Sequence, residues 1–359
     1  MAHPPNRQSQ VSGARLANAG IFVFCSPREY SIYAGCRRYL LLNRILFCVL
    51  MLSVTCSAQI LQQLKKNVAF VYGQAHVKDQ NGRTISVTGP LGTAFFVYYP
   101  DARGGENYGF TYIVTAKHIL RDELEGKYLD RVRVRMNNKS GTGVSFAEVE
   151  VSDSNGNLKW FEDKDDINAD IAILLALPSI DQVDYVTFPV SGFADADSLK
   201  KSNVTEGDSV YLVGLMPQFT GENRNYPVVR HGTIAMLADE PIPLSPTVKE
   251  RVYALELGSW PGQSGSPVFL SLGGLRGGSM MLGEAYYLFG LMLAFVPNQR
   301  PFETVGPTTT GYIGDSSNIG ISYVLPASEI LKVLNSKEAQ QQRDADIAAK
   351  AKAKSASVR

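Results

Sequence analysis

The residue pattern predicts an all-β protein built from two six-stranded antiparallel β-barrels, followed by one short C-terminal helix. Three observations predict it. Short runs rich in β-branched and aromatic residues recur from about residue 67 onward, the composition that suits a pleated, half-buried surface. Turn signals built on Gly, Asn and Asp separate them. The runs form two sets of about six, divided by an Asp- and Ser-rich connector over 179–203.

In the first set, Val68–Tyr72 is an apolar run, and Asp79-Gln80-Asn81-Gly82-Arg83-Thr84 is a hairpin signal because Asn-Gly takes positive φ readily. Gly92–Tyr99 and Tyr108–Thr115 are β-branched and aromatic, with a polar glycine-bearing loop between them. Val132–Met136 alternates, as does the second half of Ser145–Val151, and Asp170–Leu175 closes the set. Asp153-Ser154-Asn155-Gly156-Asn157 has the look of a calcium loop but lacks the glycine spacing and later glutamate of an EF-hand, so a hairpin turn is expected. The second set comprises Gly207–Gly214, Val228–Met236, Val252–Leu257, Pro267–Leu270, Tyr287–Phe295 and Ile319–Leu325. The glycine-rich stretch Ser271–Glu284 reads as a surface hairpin that could also shape a cleft. Pro326–Leu334 is amphipathic with Ser328 as the N-cap candidate, and 337–359 is Ala, Lys, Gln and Asp, expected as frayed helix or a solvated tail.

The N-terminus is different in kind. Arg37–Arg44 is a basic segment, Ile45–Val54 an apolar one, and Thr55-Cys56-Ser57-Ala58 supplies small residues before Gln59. That order is a secretory signal, and the apolar run is too short for a comfortable membrane span, so a membrane role is expected only if the segment stays uncleaved. The expected organisation is a lead and signal over 1–58, one domain over 59–336 (barrels at about 65–190 and 205–335) and a polar tail over 337–359. The first 58 residues carry six Arg against one Glu, which leaves the remainder mildly acidic although the whole chain is +1. Mild acidity gives no sign of a nucleic-acid partner. All four cysteines (Cys25, Cys36, Cys48, Cys56) precede residue 59. A trimmed chain would have no disulfide or thiolate metal site, which suits a bacterial periplasmic or secreted protein.

Chemistry concentrates in Gly258-Ser259-Trp260-Pro261-Gly262-Gln263-Ser264-Gly265-Ser266-Pro267, where one serine lies between glycines. A serine hydroxyl becomes a nucleophile only beside a base and with donors for the attacked oxygen, and glycines permit the sharp turn that exposes backbone N–H groups. Here the sequence resembles the trypsin-like (chymotrypsin-fold) serine peptidases, whose nucleophile lies in Gly-x-Ser-Gly-Gly-Pro; Ser266 replaces the fifth residue. Thr115-Ala116-Lys117-His118 resembles their Thr-Ala-x-His, which makes His118 the expected base. Asp170-Ile171-Ala172-Ile173-Leu174 resembles the element that carries their acid, with Asp165 and Asp166 as rivals in a charged loop. The order His118, Asp170, Ser264 is the trypsin-like one and not that of subtilisins or α/β-hydrolases.

The resemblance implies a serine endopeptidase acting on protein or peptide substrates without cofactor or metal. Its oxyanion hole would be the amides of Gly262 and Ser264. Its side-chain pocket would lie near Gly258, Ser259, Leu293 and Gly320. With no acid at the expected base of that pocket, a small or medium apolar preference is anticipated. Gln263 stands where zymogen-activated members carry an aspartate that pairs with a freshly cut N-terminus, and an amide cannot form that pair. Together with Gly92–Val97, Gly207–Tyr211 and Asn318–Ile321, this is similar to the bacterial branch that includes the HtrA proteases, here with no PDZ module expected after 335. The competing readings are a trypsin-fold binding or scaffold protein without turnover, and an acyl-transferring esterase or narrow processing enzyme on the same fold.

Overall fold

In a computed structural model of the chain, residues 57–175, 178, 181–244, 248–276, 279–297, 302–305, 310–313 and 318–357 are described. Residues 37–56 of the signal-like segment and all four cysteines lie outside them. No helix among the described residues is long and apolar enough to cross a membrane.

Helix α1 (Ser57–Lys66) leads into the first sheet. Its strands are β1 (Val68–Lys78), β2 (Thr84–Pro100), β3 (Gly109–Thr115), β4 (Arg131–Asn137), β5 (Val144–Glu150) and β6 (Ala172–Leu175). They run in the order β5-β4-β1-β2-β3-β6, with the short Phe188–Pro189 strand added in parallel on β2. The expected Asn-Gly hairpin joins β1 to β2: Asp79 Oδ1 accepts from the amides of Asn81 and Arg83, and Gly82 has φ +76°. Asp153 closes its turn likewise, accepting from Asn155 and Asn157 at 2.9 Å each.

The first set does not close as a ladder of six strands. Residues 151–161 span the gap between β5 and β6: Lys159 donates to the Val151 carbonyl (2.9 Å), and Phe161 and Ile173 exchange both backbone hydrogen bonds (2.8 and 3.0 Å). An irregular segment carrying the buried Trp160 thus substitutes for a ladder.

The second set is a closed six-stranded barrel. Its strands are β7 (Ser209–Gly214), β8 (Val228–Leu237), β9 (Tyr253–Glu256), β10 (Pro267–Arg276), β11 (Ser279–Pro297) and β12 (Asn318–Pro326), in the order β7-β8-β9-β12-β11-β10, with β10 returning to β7. Val210, Leu212, Ile234, Leu255, Val268 and Phe289 fill its interior. Val213, Phe269, Leu291 and Leu325 instead pack into the core of the first sheet, so the two sheets share a buried boundary. The stretch 271–284 extends the β10–β11 hairpin, with Gly274 opposite Met281.

Helix α2 (Ala327–Leu334) starts with Pro326 at its cap, so Ser328 lies inside the first turn and does not cap it. Helix α3 (Lys337–Ser357) replaces the expected frayed tail. Arg343 is buried, donating to Tyr112 Oη (3.1 Å) and the Leu334 carbonyl (2.9 Å) with its guanidinium 4.1 Å from the Tyr99 ring. Lys350 lies 3.5 Å from the Tyr108 ring centre. Basic side chains on aromatic faces dock this helix, a signal that a search for apolar periodicity does not register.

Candidate active site

Strand β3 ends at Thr115, and the buried Ala116 starts a single 3-10 turn over Lys117–Leu120 that carries His118. Opposite it, Asp170 precedes β6 and holds this turn with both carboxylate oxygens. Oδ1 accepts the His118 amide at 2.9 Å, and Oδ2 lies 2.5 Å from His118 Nδ1. An ionised carboxylate only accepts, so Nδ1 carries the proton and Nε2 keeps its lone pair for another partner. Burial disfavours the imidazolium, but the bond and charge of Asp170, with Glu123 and Glu250 farther off, outweigh it and hold His118 above its ordinary 6.5. Burial likewise works against the Asp170 carboxylate, yet the contacts from His118 hold it below the usual range. Of the rivals, Asp165 is exposed and Asp166 closes its own turn on the Asn168 amide.

Ser264 comes from the other sheet, in a loop between β9 and β10. Gly262 (φ +92°) and Gly265 (φ +80°) supply the left-handed conformations this loop needs. Gly265 also has no room for a side chain: a Cβ would lie 2.0 Å from the Thr93 carbonyl and 2.6 Å from Thr115 Oγ1. That close approach sets Ser264 against the end of β3 at Thr115, three residues before His118. The amides of Gln263, Gly265 and Ser266 donate to Trp260, Met292 and Gln263 carbonyls. Among the described residues, those of Gly262 and Ser264 meet no protein acceptor. The Ser264 hydroxyl donates to the Leu293 carbonyl at 2.8 Å. Having one proton, it must give up this bond before it can donate to an imidazole.

The four pocket candidates lie at one end of the second barrel. Leu293 holds the Ser264 hydroxyl, and the Gly320 carbonyl accepts the Leu257 amide (2.8 Å). Ser259 is buried with its Oγ 2.8 Å from Ser322 Oγ, and Gly258 adjoins it.

A family model described as a trypsin-like peptidase domain matches residues 92–277, more than half of the chain. The chain belongs to this family. No curated protein matches. Among solved structures it is similar to an HtrA-type protease, AlgW, with a decapeptide (15% identity, TM-score 0.42, 77% of this chain and 66% of that one). It is also similar to the MamO protease domain from Magnetospirillum magneticum (16% identity, TM-score 0.41, 76% and 98%). The chain spans about two thirds of the length of the AlgW structure.

Two residues that sequence reasoning missed support the site of this trypsin-like domain. Thr93, fully buried on β2, ties the two sheets together at Ser264. Its amide donates to the Ser264 carbonyl (3.0 Å), its hydroxyl donates to the Gly262 carbonyl (3.0 Å) and accepts the Leu215 amide (2.8 Å), and its carbonyl accepts Thr115 Oγ1 (2.7 Å). Thr93→Val keeps the shape and strands both backbone groups, so a loss of about 1–3 kcal/mol is expected in urea unfolding, with Thr93→Ser close to the parent.

Glu250, buried on the two-residue strand Lys249–Glu250 that precedes β9, accepts the Asp170 amide at 2.9 Å. Burial pushes its carboxyl up to about 7, aided by the charges of Asp170 and Asp166 and opposed by that amide and by Lys117. Lys117 is itself held by the Ile167 carbonyl (2.8 Å) and Glu162 (3.3 Å). From pH 4.5 to about 7 the folded chain keeps a Glu250 proton that the unfolded chain releases, so this group's contribution to stability falls as pH rises through that window. Glu250→Gln keeps the acceptor and removes the titration. Its unfolding midpoint, relative to the parent, is expected to be higher at pH 8 than at pH 5; equal differences at the two pH values would contradict the assignment.

Proposed function

We propose that the chain is an exported serine endopeptidase in which Ser264 is the nucleophile, His118 the general base and Asp170 its orienting acid. The observation that carries this reading is the two-point grip of Asp170 on His118, which leaves Nε2 basic and available beside the glycine-flanked loop of Ser264. In the reaction, Ser264 rotates from Leu293 toward His118. Its Oγ attacks a peptide carbonyl while Nε2 takes the proton, and the oxyanion is met by the unengaged amides of Gly262 and Ser264. The imidazolium, stabilised by Asp170, gives that proton to the leaving amine as the C–N bond breaks. Water then enters by the same route, releasing the acid and restoring Ser264. Because His118 must be neutral to act and its pKa is held above 6.5, the acid limb of kcat/KM is expected above pH 6.5.

Several features support the finer points. Gln263 spends its side-chain carbonyl on the Trp260 amide (2.9 Å), a local bond that suits a loop formed without a new N-terminus. The signal-like sequence of 37–58 supports export to a periplasm or exterior. The motif pattern supports the HtrA-like branch, and protein or peptide substrates follow from the reaction. One observation favours a second reading, a binding or scaffold protein without turnover: the Ser264 hydroxyl is engaged by the Leu293 carbonyl. Incubation with an unfolded protein substrate separates the two. New N-termini that appear with the parent chain and not with Ser264→Ala support the peptidase; none from a folded parent at pH 8 would overturn it.

A further inference from the structure

Among the described residues, one charged side chain at this end of the second barrel has no carboxylate partner. Strands β7 and β8 pair so that Arg230 lies opposite Leu212, and Gly232 opposite Val210. Residues directly opposite in an antiparallel pair share a face, and both Leu212 and Val210 are fully buried in the barrel interior. Arg230 therefore faces inward. Its neighbour His231 is exposed and lies against Tyr211 on the outside, ring centres 4.9 Å apart. A cation aimed into a barrel ordinarily meets a carboxylate, as Arg276 meets Asp208 on this same barrel. Among the described residues, nothing carboxylate-bearing pairs with Arg230, and its guanidinium donates no hydrogen bond.

The position of that guanidinium links it to Ser264. A Cβ on Gly258 would lie 3.2 Å from Arg230 Nη2, so the charge ends beside Gly258. Gly258 leads to Ser259, whose hydroxyl faces that of Ser322. Ser322 in turn lies opposite the interior residue Leu255 and donates to the Leu257 carbonyl at 2.7 Å. Leu293, whose carbonyl holds Ser264, sits on β11 between residues paired with β12 at Val324 and Tyr323. This barrel end is therefore lined by two hydroxyls and a cation, where the sequence suggested an apolar pocket. Glycine at 258 places no side chain against Arg230 Nη2.

We propose that this end of the barrel receives the substrate side chain on the acyl side of the cleaved bond, and that Arg230 makes it select glutamate or aspartate. The inference rests on the endopeptidase reading. A carboxylate there forms charge-assisted hydrogen bonds with the guanidinium, whereas an apolar side chain leaves a partly desolvated cation unpaired.

The test is a peptide library varied at the residue before the scissile bond, read by mass spectrometry on the full chain. Glu and Asp are expected to exceed Leu and Ala by at least about tenfold in kcat/KM. In Arg230→Gln the Glu-to-Leu ratio of kcat/KM is expected to fall at least about tenfold, and Arg230→Glu is expected to favour Lys and Arg. A ratio within one preparation does not depend on how much of the variant is folded. A parent chain that prefers Leu, Val or Ala, or an unchanged ratio in Arg230→Gln, overturns the proposal. Failure of the underlying reading looks different: no fluorophosphonate adduct on Ser264 and no cleavage of any peptide, which removes both.

Discussion

Asp170→Asn is expected to lower kcat by about 10⁴ while leaving the fold intact, the scale seen when this replacement is made in another serine protease. The reason lies in the two contacts to the His118 turn. An asparagine oxygen can still accept the His118 amide, so the turn keeps its place. Its NH2 group then faces Nδ1, which must become the acceptor, and the proton moves to Nε2. The nitrogen that should take the Ser264 proton is already protonated, and the base is lost without any loss of shape. Steady-state kinetics with the circular dichroism spectrum of the variant checks this. Near-parental turnover would refute the role of Asp170. His118→Ala is expected to fall at least as far.

The second large effect is on folding. Gly265→Ala places a methyl group 2.0 Å from the Thr93 carbonyl at a residue with φ +80°. Neither side can yield cheaply. The Thr93 carbonyl is bound by Thr115, the Thr93 amide by the Ser264 carbonyl, and the Gly265 amide by Met292. The left-handed conformation costs about 1–2 kcal/mol for a non-glycine residue, and forcing a methyl into a packed site about 1–3 kcal/mol more. Against a total stability of about 5–15 kcal/mol, that is a large fraction. Gly274→Ala is the control: φ is +77° but nothing lies within 4 Å, so only the first cost applies. Urea unfolding of the two variants should separate them; equal midpoints would mean that the Gly265 contact does not constrain the loop.

The strands and the three motif residues were legible because each depends on a short window of sequence. Alternation and turn chemistry located the strands, and Asp170 stood out by heading an apolar run. What stayed hidden depends on pairs far apart in the chain. Ser266, which stands where the family pattern carries glycine, is buried against Gly214, where a Cβ would fall 1.9 Å from the serine Oγ. The space that one position lost, the other supplied. Thr93 read as an ordinary strand threonine, since its four hydrogen bonds reach three other segments. Glu250 meets the Asp170 amide from 80 residues away, a pairing that no local window of sequence shows. Arg230 gave no sign of its inward direction because it is followed directly by His231, and neither polar residue type marks which of the two faces the interior. Residues 151–161 link β5 to β6 through isolated bridges, and such pairings leave no periodic trace in the sequence.

The central claim is that Ser264 is an activated nucleophile, and a fluorophosphonate probe tests it most directly. Intact-mass analysis of the folded chain at pH 8 is expected to show one covalent adduct, mapped to Ser264, absent in Ser264→Ala and strongly slowed in His118→Ala. A folded chain that takes no adduct, or takes it equally well without Ser264 or His118, would contradict the account.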